Sequence, residues 1–166
     1  MTKYFGKYRG TVMSNLDPMR MGRLQVTCSQ VYGPGVMAWA MPCVPFAGPM
    51  EGFYMLPKPT ANVWVEFEAG DPDRPIWAGC FWTTQTIPPK AASPTMRTIS
   101  GLGVDITLDD TPGAGSVMIQ ALPPAVPNAA TVRIDATGIL VNTGGATITM
   151  TSPNVVDINV GALTVT

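Results

Sequence analysis

The sequence predicts an all-β protein made of two different parts, and three observations lead to that prediction. Seventeen glycines and seventeen prolines are spread through 166 residues, so no stretch remains in which a long helix could form. Apolar residues recur with a period of two along most of the chain, which is the spacing of a half-buried strand. Composition also changes midway, because every aromatic residue lies at or before Trp82.

The first part, residues 1–82, contains five short segments with strand character. They begin at Tyr8 and continue through "GRLQVTC", "VMAWAM", "NVWVEFE" and "PIWAGCFW". Proline-rich connectors such as "MPCVPFAGP" and "LPKP" separate them. Five short strands with such connectors favour a small closed or partly closed barrel, and an OB-fold is the natural candidate.

A linker and a second kind of β-structure follow. Residues 83–98 combine small residues, threonines and prolines without periodicity, which is typical of an extended connection. Residues 99–166 alternate Val, Ile and Leu with Thr, Asp and Asn. The apolar members of this alternation, which we expect to face a common core, are Val104, Ile106, Leu108, Val117, Ile119, Val132, Ile134, Ile148, Met150, Val156, Ile158 and Val160.

These C-terminal strands lack an opposing layer of large side chains within the chain. A lone ladder of short strands cannot offset an ordering entropy of about 1–2 kcal/mol per backbone residue. Three identical chains wound about a common axis would turn every Val/Ile row inward and every Thr/Asp/Asn row outward. The pattern therefore favours an intertwined homotrimer; a monomeric β-solenoid is the alternative, although the repeat lengths are irregular.

Composition excludes several classes of function. The net charge is −1, and the chain beyond Thr98 contains one arginine and five aspartates. Nucleic-acid binding therefore has no electrostatic support. There is no histidine, which removes the commonest general base and imidazole metal sites. Three cysteines without CxxC spacing indicate reduced, buried thiols and folding in a cytoplasm. No apolar run approaches the ~20 residues of a transmembrane helix. We therefore expect no catalytic residue, cofactor or metal.

Two polar turns are the remaining candidates for a site, and both are interpreted as corners of the barrel. In "GDPDRP", Gly70 suits a positive φ, Asp71 can bond to nearby backbone and two prolines fix the chain. Asp71 and Asp73 lack the six or more oxygens that calcium requires, and Arg74 lies beside them. In "NLDPMRMGRL", Asn15 and Asp17 begin a similar turn.

The N-terminal motifs resemble a known family. The segments "YRGTVMSNLDPMRMGRLQV" and "GPMEGFYMLPKPTANVWVEFEAGDPDRPIWAGCFW" are similar to the OB-fold domain of phage baseplate assembly protein V and VgrG, the spike proteins of contractile injection systems. The resemblance covers about half of the chain. It implies a structural spike, synthesised in a bacterial cytoplasm and assembled into the baseplate of a phage tail or injection-system particle. In that family a triple-stranded β-helix follows the OB-fold and forms a needle that punctures the target envelope.

The resemblance also implies partners. The OB-fold end would dock on a baseplate hub protein, and the needle would make transient contact with the envelope. Because the sequence ends in mid-strand at "GALTVT", we expect a PAAR-like tip protein on Leu163, Val165 and Thr166. The alternative function is a free-standing OB-fold module that binds oligosaccharide or single-stranded nucleic acid on its aromatic residues, namely Tyr32, Trp39, Tyr54, Trp64 and Trp77.

Overall fold

The chain divides into two compact units, Met1–Thr86 and Ile87–Thr166. The computed structural model describes residues 2–89, 93–153, 155–160 and 162–165. Strands dominate these residues, which confirms the all-β prediction. The strands are β1 (Tyr8–Ser14), β2 (Leu24–Thr27), β3 (Met37–Pro42), β4 (Ala47–Gly48), β5 (Glu51–Gly52), β6 (Asn62–Phe67), β7 (Pro75–Cys80), β8 (Met96–Ser100), β9 (Val104–Asp109), β10 (Ser116–Ala121), β11 (Ala130–Asp135), β12 (Gly138–Asn142), β13 (Thr147–Thr151), β14 (Val155–Ile158) and β15 (Leu163–Val165). A short helix, α1 (Ser29–Tyr32), and a 3₁₀ turn, Glu68–Gly70, complete the first unit.

The first unit is a closed five-stranded barrel in the order β1-β2-β3-β7-β6. Strands β3 and β7 pair in parallel, and the other pairs are antiparallel. These are the five strands that the sequence predicts, and closure of the barrel agrees with the OB-fold prediction. The buried core consists of Val12, Leu24, Val26, Cys28, Ala40, Val63, Val65, Phe67 and Trp77.

Glycine at position 10 allows the barrel to close. A Cβ atom there would lie 2.6 Å from Cγ2 of Val65 and 2.8 Å from the carbonyl oxygen of Thr27. Both distances are shorter than van der Waals contact, and the second involves backbone that cannot rotate away. Strand β1 therefore approaches its neighbours closely only because Gly10 has no side chain.

Several local features of the first unit escape the sequence pattern. The β4–β5 hairpin was not predicted, because strands of two residues are too short to show a periodicity. Of the three cysteines, only Cys28 is buried; Cys43 and Cys80 are exposed, so the prediction of buried thiols is wrong for these two. All three are free thiols.

The second unit is an eight-stranded sheet whose strands follow one another in chain order from β8 to β15. Every neighbouring pair is antiparallel. Strand β8 begins at Met96, inside the segment 83–98 predicted as a linker, because "MRTIS" is too short and too polar to reveal its alternation. Among the described residues, no helix combines the length and hydrophobicity needed to cross a membrane.

Candidate functional site

One face of the C-terminal sheet carries two continuous rows of residues that run across all eight strands. The pairing register aligns one residue from each strand in each row. Row 1 contains Arg97, Leu108, Val117, Ile134, Ile139, Met150, Val156 and Val165. Row 2 contains Ile99, Ile106, Ile119, Val132, Val141, Ile148, Ile158 and Leu163. Apart from Arg97, every member of the two rows is apolar.

This apolar face is open in the single chain, whereas one threonine of the opposite face is buried. Ile106 and Leu108 are 39% and 43% exposed, but Thr107, which lies between them on the opposite face, is 2% exposed. A soluble domain normally buries its apolar side chains and leaves its threonines in water. The reversal here means that the apolar face is completed by something outside the chain.

Most of the residues predicted as a common core lie in these rows. Val104 is on the same face at the edge, where it pairs with Ala121. Val160 is a correction: it lies in the turn between β14 and β15 with a φ of 53° and a side chain that is 91% exposed. The apolar alternation in the sequence continues through "VVDINV", but the strand ends at Ile158. Counting by two from Ile158 therefore places Val160 on the apolar face, although it lies in the turn.

Three apolar row members were missed by the sequence pattern. Ile139 and Val141 belong to the apolar run "GILVN", in which consecutive apolar residues hide the period of two. The side chain between them, Leu140, belongs to the opposite face, where it pairs with Arg133. Ile99 was missed because it stands next to the predicted linker.

The residues predicted to contact a tip protein lie at the last strand. Leu163 pairs with Ile158 and therefore extends row 2, and it is 55% exposed. Val165 pairs with Val156 at the corresponding place in row 1. Thr166 lies outside the described residues.

Two acidic residues of the second unit stabilise turns. Oδ1 of Asp109 accepts hydrogen bonds from the Thr111 backbone N–H at 2.9 Å and its hydroxyl at 2.6 Å. Asp135 binds Thr137 in the same way, at 2.8 and 2.6 Å. These bonds hold the pKa of both aspartates below the usual value, and the bonds from the threonine hydroxyls have the largest effect. Both carboxylates thus stay ionised and close a hairpin.

The "NLDP" turn of the barrel is built around a shielded carboxylate. Asp17, whose side chain is 3% exposed, accepts bonds from Nε and Nη2 of Arg23 at 3.1 and 2.7 Å. It also accepts the backbone N–H groups of Met19, Met21 and Arg23 at 3.0, 2.8 and 3.2 Å. The guanidinium bond and the backbone bonds hold the pKa of Asp17 far below its ordinary value. Asn15 donates to the Pro57 carbonyl at 3.1 Å, so this segment is a structural corner.

The "GDPDRP" turn is also a corner. Gly70 has a φ of 76°, which favours glycine, and its carbonyl accepts the Tyr4 N–H at 2.9 Å. Oδ1 of Asp71 accepts the Asp73 N–H at 3.1 Å, as in an Asx turn. In the part of the chain that the structure describes, no three Asp, Glu, Cys or His side chains converge on a possible metal site.

Replacing Asp17 with Asn is expected to lower the melting temperature of the barrel, because the amide NH₂ would face backbone N–H donors. The folded pKa of Asp17 is lowered, so its stabilisation is fully present above the unfolded carboxyl pKa of about 4. It is lost as the pH falls further, through the much lower folded pKa. In thermal unfolding from pH 7 to pH 2, the gap between wild type and Asp17→Asn should be constant near neutrality and shrink below about pH 4.

Glu51→Gln removes an exposed carboxylate from the same unit and serves as the control, with a small and nearly constant effect. A gap for Asp17→Asn that widened on acidification would contradict the assigned role of Asp17.

Three of the five aromatic residues that the alternative function would use already have partners within the barrel. Trp77 is 5% exposed and its indole N–H donates to the Gly22 carbonyl at 3.2 Å. Tyr32 donates to the Pro72 carbonyl at 2.7 Å. Trp64 already packs against Phe81, with ring centroids 4.6 Å apart. These three side chains have partners within the barrel, whereas Tyr54 is 71% exposed, so the alternative binding module would keep only part of its predicted aromatic surface.

Comparison with known families assigns both units. Residues 8–82 match the family model described as the Type VI secretion system/phage-baseplate injector OB domain. Residues 95–164 match the model described as the phage baseplate V C-terminal trimerisation domain. A search of curated proteins gives no significant match. The trimerisation match supports a homotrimer. The chain therefore belongs to the phage baseplate V family, whose members are structural components of phage and Type VI secretion baseplates.

Proposed function

We propose that this protein is the central spike of a contractile tail or injection-system baseplate and that it punctures the target envelope. The two apolar rows carry this proposal. They supply a core that continues through all eight strands of the trimerisation domain. Residues 1–82 would dock on the particle, residues 83–98 would connect, and residues 99–166, with the start of β8, would form the needle.

The mechanism is mechanical rather than catalytic. In a trimer, the two rows from each copy would meet near a common axis and be removed from water, at about 25 cal/mol for each Å² of apolar surface buried. Bending such a shaft would have to separate many packed side chains at once, because close-packed interiors deform little. A stiff shaft transmits the force of contraction to its tip.

Docking on a hub is supported by exposed apolar side chains around the β4–β5 hairpin. Met50, at the tip of this hairpin, is fully exposed and has a φ of 63°, a conformation that favours glycine. Phe46 and Tyr54 nearby are 57% and 71% exposed. An exposed apolar side chain at a strained backbone position contributes no packing energy within its own chain. We therefore propose that the surface around the β4–β5 hairpin contacts the baseplate hub.

A PAAR-like tip protein is proposed to bind at the last strand, β15. Among the described strands, β15 pairs only with β14, so its second edge is available for main-chain hydrogen bonds with a partner. Leu163 offers an apolar side chain beside that edge.

Deletion of residues 162–166 should abolish binding of the tip protein and leave the trimer intact, because it removes one strand from an eight-stranded sheet. Pull-down of the tip protein and light scattering of the same samples would test both parts. Retained binding after deletion would refute the assigned tip contact, and loss of the trimer would show that β15 belongs to the oligomer core.

The spike proposal is tested by locating the protein in particles. Gold-labelled antibodies against the barrel should mark the centre of the baseplate in extended particles, and contraction on target cells should carry the label to the envelope. Label confined to the sheath or to the tube shaft would overturn the proposal.

A further inference from the structure

The first strand of the trimerisation domain carries a charge where the other strands carry apolar side chains. Arg97 pairs directly with Leu108, so it occupies the β8 position of row 1. Every later position of that row, from Leu108 to Val165, is apolar. Row 1 therefore begins with a guanidinium on the face that the trimer covers.

Arg97 is held by an acid of its own chain. Its Nη1 forms an ion pair with Oδ2 of Asp110, the residue immediately after β9. Their side chains are 60% and 59% exposed in the single chain. The pair thus lies at one end of the open apolar face and is not enclosed by its own sheet.

We propose that Arg97 and Asp110 fix the alignment of the three chains by forming a ring of ion pairs between copies. This inference rests on the proposed trimer core, in which the two rows face the axis. A guanidinium carries five donors in a planar fork, so Arg97 can bind its own Asp110 and the Asp110 of a neighbouring copy at the same time. Three such pairs give a closed ring with no net charge.

A fixed alignment is needed because the rows themselves define it poorly. After Arg97, the seven successive strands of row 1 contribute Leu, Val, Ile, Ile, Met, Val and Val, which are similar in size. Copies displaced by one strand along the axis would still bring apolar residues together. Displacement would, however, place Arg97 against Leu108 or Val117 of a neighbour, and burying a charge without a partner is strongly unfavourable. A single polar position specifies register in coiled coils on the same principle.

The experiment uses two full-length chains, one with Arg97→Asp and one with Asp110→Arg, carrying different tags and co-expressed. Each chain alone brings like charges together. If the pairs join neighbouring copies, mixed trimers restore attraction, so native mass spectrometry should show mixed trimers well above the roughly three quarters expected for random assembly of a three-fold oligomer. If the ion pair acts only within each chain, the repulsion is the same in every trimer and mixing is random.

A matched control places opposite charges on the other face of the sheet. Thr131 lies between Gln120 and Asn142 on the polar face, so co-expressed Thr131→Asp and Thr131→Arg chains should mix at random. Random mixing of the Arg97 and Asp110 variants overturns the ring while leaving the trimeric spike in place. Preferential mixing of the Thr131 variants would instead contradict the assignment of the faces, and with it the proposed core. Where either charge variant alone forms no trimer, co-expression must restore one, and failure to do so also overturns the ring.

Discussion

The Ile148→Asp variant is expected to be monomeric in solution, whereas the wild-type chain is a trimer. Ile148 lies in the middle of row 2, between Val141 and Ile158. In the trimer the substitution would enclose three carboxylates near one axis without partners. Leaving a charge buried and unpaired costs about 3–5 kcal/mol for each chain, and mutual repulsion of three such charges adds to this. Light scattering of the purified variant measures the mass directly.

Thr131→Asp is the matched control, because it adds the same charge to the opposite face at a position whose paired residues on the two adjacent strands, Gln120 and Asn142, are uncharged. It should remain a trimer with a melting temperature close to that of the wild type. Monomers from both variants would mean that both faces are buried in the oligomer. Trimers from both would mean that the apolar rows do not form its core.

The alternation of apolar residues was sufficient to predict most of the apolar face of the C-terminal sheet. A period of two fixes which face a side chain occupies, and the pairing register then aligns those faces across strands. The prediction failed where the signal itself is missing. "GILVN" contains consecutive apolar residues, so Ile139 and Val141 could not be separated from Leu140. At Val160 a turn with positive φ interrupts the strand, which no count of residues reveals.

In the barrel, the sequence predicted the strands but not the interactions that hold the corners. The role of Asp17 depends on three backbone N–H groups and on Arg23, which converge only when the loop folds back. The same is true of Gly10. Position 10 has no room for a side chain because Val65 and Thr27, on other strands, lie too close to it. Contacts between distant segments of this kind leave no periodic mark in the sequence.

The glycines of the second unit also differ in how much room a side chain would have. Gly138 has none, and we expect it to control assembly. A Cβ atom on Gly138 would overlap the carbonyl oxygen of Met150 and would lie 3.0 Å from its carbonyl carbon. Gly138 also has a φ of 133°, where other residues are strained. Gly138→Ala should therefore force β12 and β13 apart, at or above the upper end of the ~1–3 kcal/mol that overpacking costs. Because row 1 passes from Ile139 to Met150 across this pair of strands, the loss should appear both as a lower melting temperature and as weaker trimer formation.

Gly145, in the loop that joins the same two strands, is the matched control. A Cβ atom there would meet nothing within 4 Å. Gly145→Ala should be neutral or slightly stabilising, since alanine restricts the unfolded chain. Thermal unfolding and dilution of the trimer, followed for both variants, separate two explanations. If only Gly138→Ala weakens the trimer, then contact between β12 and β13 carries the core across the middle of the sheet. If it lowers the melting temperature while trimer dissociation on dilution is unchanged, then the rows act independently on either side of this hairpin, and the continuous core would have to be replaced by two separate ones.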